Sequence, residues 1–231
     1  MKRPSCLLPA VLYRGSETTR SEIRVESAVV AGWTGRDKEA VEKHIVELEE
    51  LGVKRPASTP IFYRVAASRL TTSSSVEMTG DDSSGEVEFI LLRAAGRTWV
   101  GVGSDHTDRK VEAYNVTVSK QMCDKPVSPE FWDYEDVAGH WDELILRSYI
   151  IEKGERVVYQ EGTVASMLAP ESLLSLWNGG TLHEGTLMFC GTLAVRGGVR
   201  PASRFEIEME DPVRGRKISH SYDVVTLPVV G

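Results

Sequence analysis

The sequence predicts an α+β protein that is mostly β: a mixed or largely antiparallel sheet with peripheral helices. Three observations carry this. Short apolar runs, alternating or continuous, recur between clusters of Gly, Ser, Thr and Asp, as strands between turns do. Helical periodicity is confined to a few segments, and no strand–helix–strand repeat appears. At 231 residues the chain is long enough for one sizeable core and shows no internal repeat.

Residues 1–20 are polar and irregular, so 1–22 read as an N-terminal extension and 23–231 as one domain. Ile23 to Ala31 alternates and then turns apolar, a strand ending at Gly32, and Trp33 to Arg36 is a turn. Asp37 to Leu51 is the strongest helix. Ala40, Val41, Ile45, Leu48 and Leu51 recur at helical spacing, and Gly52 follows as a stop. Pro56 to Pro60 links to a short strand at Ile61–Val65. Loops fill 71–85 around a weak strand at Val76–Met78.

Phe89 to Leu92 is a continuous apolar run preceded by Gly85, which predicts a buried strand, and Thr98–Gly103 is its hairpin partner. Val111 to Ser119 is amphipathic but of undecided type, and Asn115-Val116-Thr117, a glycosylation sequon by pattern, reads as strand. A helix is expected within Trp132–Leu146, strands at Ile145–Ile151 and Val157–Tyr159, and a helix from Pro170 to Trp177. Strands at Leu187–Thr192, Phe205–Met209 and Val224–Leu227 complete the chain.

Composition excludes several classes. A net charge of −7 without a basic, aromatic-rich patch argues against nucleic acid as a partner. Apolar runs fall well short of a membrane span. The run from Leu7 to Leu12 is broken by Pro9 and makes a poor signal peptide. Three cysteines without a Cys-x-x-Cys pair argue against a disulfide framework or a zinc site and fit a reducing, cytoplasmic setting.

The polar groups that could do chemistry cluster around the apolar run. Glu86 and Glu88, two apart on a strand, point to one face. Side by side near buried residues they repel, and a divalent cation is the simplest partner, although a strand end with a solvated acidic face would give the same pair. Asp105, after the hairpin's second strand, could add a third carboxylate, with Asp108 as alternative and His106 as another possible ligand. A site of carboxylates without sulfur suits Mg2+ or Mn2+, with Ca2+ a further candidate. Arg109 and Lys120 are nearby cations able to hold a substrate carboxylate or enolate. His44 and Glu47, at i and i+3 on the strong helix, could form a base dyad or simply belong to a charged surface helix.

Taken in order, these pieces resemble the fumarylacetoacetate hydrolase superfamily. Across roughly residues 25–230 the chain runs Val29-Val30-Ala31-Gly32, His44-Ile45-Val46-Glu47, Pro60-Ile61-Phe62-Tyr63-Arg64, Glu86-Val87-Glu88, Asp105-His106-Thr107-Asp108-Arg109, Ser119-Lys120-Gln121-Met122 and Cys190-Gly191-Thr192-Leu193. More narrowly it resembles an uncharacterised branch described as a domain of unknown function. The resemblance implies a rolled β-sheet with flanking helices and a homodimer. It implies metal ligation by Glu86, Glu88 and Asp105 and a water-activating His44–Glu47 dyad on a lid. Arg109, Lys120 and Thr192 would contact a small-molecule carboxylic acid substrate, and Lys120 counts with the dyad among the catalytic groups.

The implied chemistry is an enolate stabilised by the metal on a 2-oxo, 1,3-dicarbonyl or enol carboxylic acid, with C–C bond hydrolysis ahead of decarboxylation and of isomerisation or hydration. The rival reading is a non-catalytic protein that binds metal or acid and keeps the fold. The departures are the short step from Glu88 to Asp105, Tyr63-Arg64 where the family has Lys, Leu193 after Gly-Thr, and Lys110 after Arg109. They fall around the substrate pocket, so they bear on the substrate more than on the metal.

Overall fold

The computed structural model describes residues 5–50, 55–177 and 179–230, leaving the side chains of His44, Glu47, Leu48 and Glu50 outside that description. The main strands are β1 (Cys6–Arg14), β2 (Glu17–Val25), β3 (Ser27–Gly32), β4 (Ile61–Val65), β5 (Ser75–Thr79), β6 (Val87–Ala94) and β7 (Arg97–Ser104). They continue with β8 (Glu130–Asp133), β9 (Ile145–Glu152), β10 (Glu155–Thr163), β11 (Thr186–Thr192), β12 (Arg204–Asp211) and β13 (Arg216–Leu227). The α-helices are α1 (Lys38–Glu50), α2 (Arg109–Tyr114), α3 (Val116–Met122) and α4 (Pro170–Ser175).

An eight-stranded sheet runs β2-β1-β8-β7-β6-β11-β3-β4, and a five-stranded sheet runs β10-β9-β12-β13-β5. Pairing is mixed: β1–β8, β3–β11 and β5–β13 are parallel, and the other neighbours in these sheets are antiparallel. The large sheet curls. Residues near its opposite edges, Leu8 and Ile23 on one side and Val65 on the other, join one buried cluster with Val30, Ile90 and Phe189 from its middle. Its other face packs on the five-stranded sheet, where Phe89, Leu91 and Met188 meet Leu146, Ile207 and Met209. This explains the continuous run in β6. Val87, Phe89 and Leu91 fill the space between sheets while Ile90 and Leu92 fill the roll, so both faces of the strand are apolar.

Three expectations are corrected. The segment read as irregular forms β1 and β2, the antiparallel edge of the large sheet, and the expected boundary between residues 22 and 23 falls inside β2. The expected helix after Trp132 is instead the end of β8 followed by two 3-10 turns, Tyr134–Asp136 and Ala138–Glu143. Asn115, expected in a strand, is the N-cap of α3, where its side-chain oxygen accepts from the Val118 N–H. Leu51 and Gly52, expected at the end of α1, lie outside the described residues. No helix among the described residues is long and apolar enough to cross a membrane.

Candidate metal centre

Glu86 directly precedes β6, Glu88 is its second residue, and Asp105 directly follows β7. The register of the β6–β7 hairpin pairs Val87 with Ser104 and Ala94 with Arg97, so the strand ends lie together. The Asp105 N–H donates to the Glu86 carbonyl over 3.0 Å. The short step from Glu88 to Asp105 is thus a tight hairpin, with Ala95 and Gly96 at its turn, both in the left-handed region. One oxygen from each of Glu86, Glu88 and Asp105 lies within 4.8 Å of the others.

Burial makes this an expensive place for three carboxylates. Glu88 and Asp105 are buried and Glu86 is partly exposed. Desolvation first, and then the Asp105 charge, hold the Glu88 carboxyl well above its usual range, against a 2.6 Å hydrogen bond from the Gly191 N–H. Asp105 goes the other way. Its burial alone would raise it, but Lys120 and Lys125 outweigh burial and hold it below the usual carboxylate range. Lys120 donates to Asp105 Oδ2. Lys125 Nζ stands 3.2 Å from Oδ1 and donates to the His106 carbonyl over 2.6 Å.

Lys120 also feels Glu86 and Glu112, so its ammonium is held above its usual range despite burial. Lys125 has fewer carboxylates to offset its burial and is pulled down. Asp105 Oδ1 accepts no hydrogen bond in spite of being buried. Three converging carboxylates, one of them, Glu88, raised by burial and by the Asp105 charge, fit a hard divalent cation.

The cluster opens into a cavity of about 630 Å3, within the range of small-molecule sites. Glu86, Glu88, Arg109, Lys120, Gly191 and Thr192 line its polar end. Arg109 opens α2 behind its N-cap Asp108, whose side chain accepts from Val111 N. The guanidinium reaches Glu86 at 3.1 Å, Glu112 at 2.9 Å and Ser84 Oγ at 2.7 Å. A register shift in β11 between Phe189 and Thr192 turns the Gly191 N–H toward Glu88. Gly191 has φ +106°, and a Cβ there would lie 1.7 Å from Thr34 Oγ1, so this position requires glycine. Thr192 lines the cavity, but its hydroxyl is engaged, donating to the Val87 carbonyl and accepting from Gln160 Nε2, each at 2.8 Å.

The structure brings together Glu86, Glu88, Asp105, Arg109, Lys120 and Thr192. Asp108 serves as a helix cap and is not in the carboxylate cluster. His106 is not a ligand either: it is fully buried, with Nδ1 3.0 Å from the Tyr222 hydroxyl and Nε2 2.9 Å from Ser83 Oγ. Arg64 is exposed, and Tyr63 lines the cavity in its stead. The His44 and Glu47 side chains lie outside the described residues. Their helix borders the cavity through Ala40 and Val41, with Asp37 just before it, and position 44 follows those two residues by one turn.

Lys125 and Gln160 were not anticipated. Gln160 is buried and ties three strands together, accepting from Val87 N and donating to Thr192 Oγ1 and the Leu193 carbonyl. A lone Lys or Gln in a sequence announces no partner.

The family model for the protein of unknown function DUF2848 matches residues 31–222. No curated protein matches the chain. Among solved structures, a putative fumarylacetoacetate hydrolase family protein from Yersinia pestis CO92 is 18% identical, with 93% of this chain and 99% of that one covered at a TM-score of 0.61. A yeast fumarylacetoacetate hydrolase family protein is 16% identical, with 89% and 95% covered at a TM-score of 0.62. A 2-keto-3-deoxy-D-arabinonate dehydratase is likewise 16% identical, with 91% and 85% covered at a TM-score of 0.61. The chain belongs to the DUF2848 family and is built on the fumarylacetoacetate hydrolase fold.

Proposed function

We propose that this protein is a divalent-cation-dependent enzyme acting on a 2-oxo, 1,3-dicarbonyl or enol carboxylic acid, with hydrolysis of a C–C bond as the first reaction to test. The observation that supports it is the convergence of Glu86, Glu88 and Asp105 within 4.8 Å at the polar end of a cavity. The neighbouring enzymes on this fold, a dehydratase among them, support the reaction class but not a choice within it.

A divalent cation on these oxygens would supply Lewis acidity toward adjacent substrate oxygens and stabilise an enolate. Lys120 lines the cavity, and its ammonium carries three donors, of which Asp105 takes one. Its raised pKa keeps it charged at neutral pH, available to a substrate carboxylate or developing oxyanion. Arg109 fixes Glu86 and Glu112 and holds the positive side of the site in place. The His44–Glu47 dyad on α1 would move the proton: removing one from water in hydrolysis, or shuttling one on carbon in isomerisation.

The test is Mn2+ titration calorimetry on wild type, Glu88→Ala and His44→Ala, followed by turnover of oxaloacetate and acylpyruvates. Binding that vanishes in Glu88→Ala and persists in His44→Ala, with turnover lost in both, is the expected result. Metal-loaded wild type that turns over no 2-oxo acid would move the weight to an acid-binding protein, and full activity in His44→Ala would remove the dyad.

A further inference from the structure

The cavity lining is of two kinds. Besides its carboxylates and cations it is apolar, made by Trp33, Ala40, Val41, Tyr63, Ala113 and Val116. These come from the turn after β3, from α1, β4, α2 and the start of α3, so five separate elements converge on one apolar surface. Trp33 hydrogen-bonds Tyr63, and the indole N–H can only donate, so the two rings cover part of each other's polar edge.

The charges tell the same story. Among the described residues that line the cavity, the cations are Arg109 and Lys120. Arg109 commits its three nitrogens to Glu86, Glu112 and Ser84, and Lys120 serves Asp105. Glu112 and Asp37 add negative charge to the lining, Glu112 in a 2.9 Å ion pair with Arg109. A second substrate carboxylate would face this negative charge and, among the described lining residues, would find both cations already paired with carboxylates.

We propose that the substrate is a 2-oxo monocarboxylic acid with an unbranched or branched apolar tail, whose oxygens occupy the polar end and whose tail lies on the apolar wall. This rests on the metal-dependent reading above and adds a choice that reading leaves open: an apolar tail in place of a second, distal carboxylate. Removing apolar surface from water favours binding by about fourfold per methylene, so affinity should climb with tail length until the wall is covered.

The experiment is calorimetric binding to Mn2+-loaded protein of pyruvate, 2-oxohexanoate, 2-oxooctanoate and the ω-carboxylate analogue 2-oxosuberate. Rising affinity along the first three, with 2-oxooctanoate at least tenfold tighter than 2-oxosuberate, is the expected result. In Val116→Lys that preference should shrink or reverse. Affinity that is flat with tail length, or 2-oxosuberate binding as tightly as 2-oxooctanoate, would overturn the proposal and leave the metal-dependent reading standing. Metal-loaded protein that binds none of the four, pyruvate included, would overturn both.

Discussion

Lys125→Met tests whether the site is held open by a buried ammonium. Met keeps the length and apolar stem of Lys but removes the charge that faces Asp105 Oδ1 at 3.2 Å and the hydrogen bond to the His106 carbonyl. At an effective dielectric of about 20, that ion pair is worth about 5 kcal/mol. Relief of the desolvated ammonium offsets part of it, and Lys120 still holds the other Asp105 oxygen. Breaking a buried pair costs about 3–5 kcal/mol, and the remaining partner places this case near the low end.

A loss of about 3 kcal/mol in a domain of this size corresponds to a fall in Tm of about 6–12 °C. Thermal melts with chelator present measure it. Mn2+ titration of the same variant should show weaker binding, by about tenfold, because Asp105 is no longer fixed. Mn2+ at a hundred times the wild-type Kd adds about 2.7 kcal/mol to the wild type and about 1.4 kcal/mol to a variant that binds tenfold more weakly, so the gap between the proteins should widen at that metal concentration. A variant that melts with wild type in chelator and binds Mn2+ equally would refute the idea that Lys125 positions Asp105.

Further expectations concern the surroundings. Gly191→Ala must clear Thr34 at a φ of +106° and should lower stability by about 2–4 kcal/mol, whereas Gly96→Ala, at φ +72° with nothing within 4 Å, should cost about 1 kcal/mol; urea midpoints separate them. Gln160→Leu leaves the Val87 N–H and Leu193 carbonyl unpaired and should cost about 2–4 kcal/mol in the same assay. Burial holds the His106 imidazole down to about 3 from 6.5. Between those pH values the unfolded chain takes up a proton that the folded one does not, so stability contributed above pH 6.5 is lost as pH falls, at up to about 1.4 kcal/mol per pH unit. His106→Gln should flatten that slope, and an unchanged slope would mean that His106 is protonated in the fold.

Local pattern made much of this protein legible. The apolar run in β6, unbroken because both faces are covered, marked the central strand and so the carboxylates at its start. The hairpin to β7 followed from the turn between two β-rich runs, and the hairpin in turn brought Asp105 beside Glu86. The order of weak motifs pointed to the fold, since the carboxylate motifs sit at strand ends that the sheet gathers to one place, with Lys120 brought to them on α3.

Other features had no local signature. Leu8, Ala10 and Leu12 do alternate, but Pro9 demotes that run, and most of β2 is exposed on an edge, so neither strand reads as sheet. His106 and Asp105 are neighbours in sequence yet part company, one to Tyr222 on β13 and the other to Lys120 and Lys125, because successive residues point to opposite sides.

Lys125, Gln160 and the Gly191 turn depend on what stands opposite them, and that is set by pairing between strands far apart in the chain. The side-chain alternation that a sequence displays fixes which residues share a face. Which lysine meets which carboxylate is fixed by register, bulge and the curl of the sheet, and these form only when the whole apolar core closes.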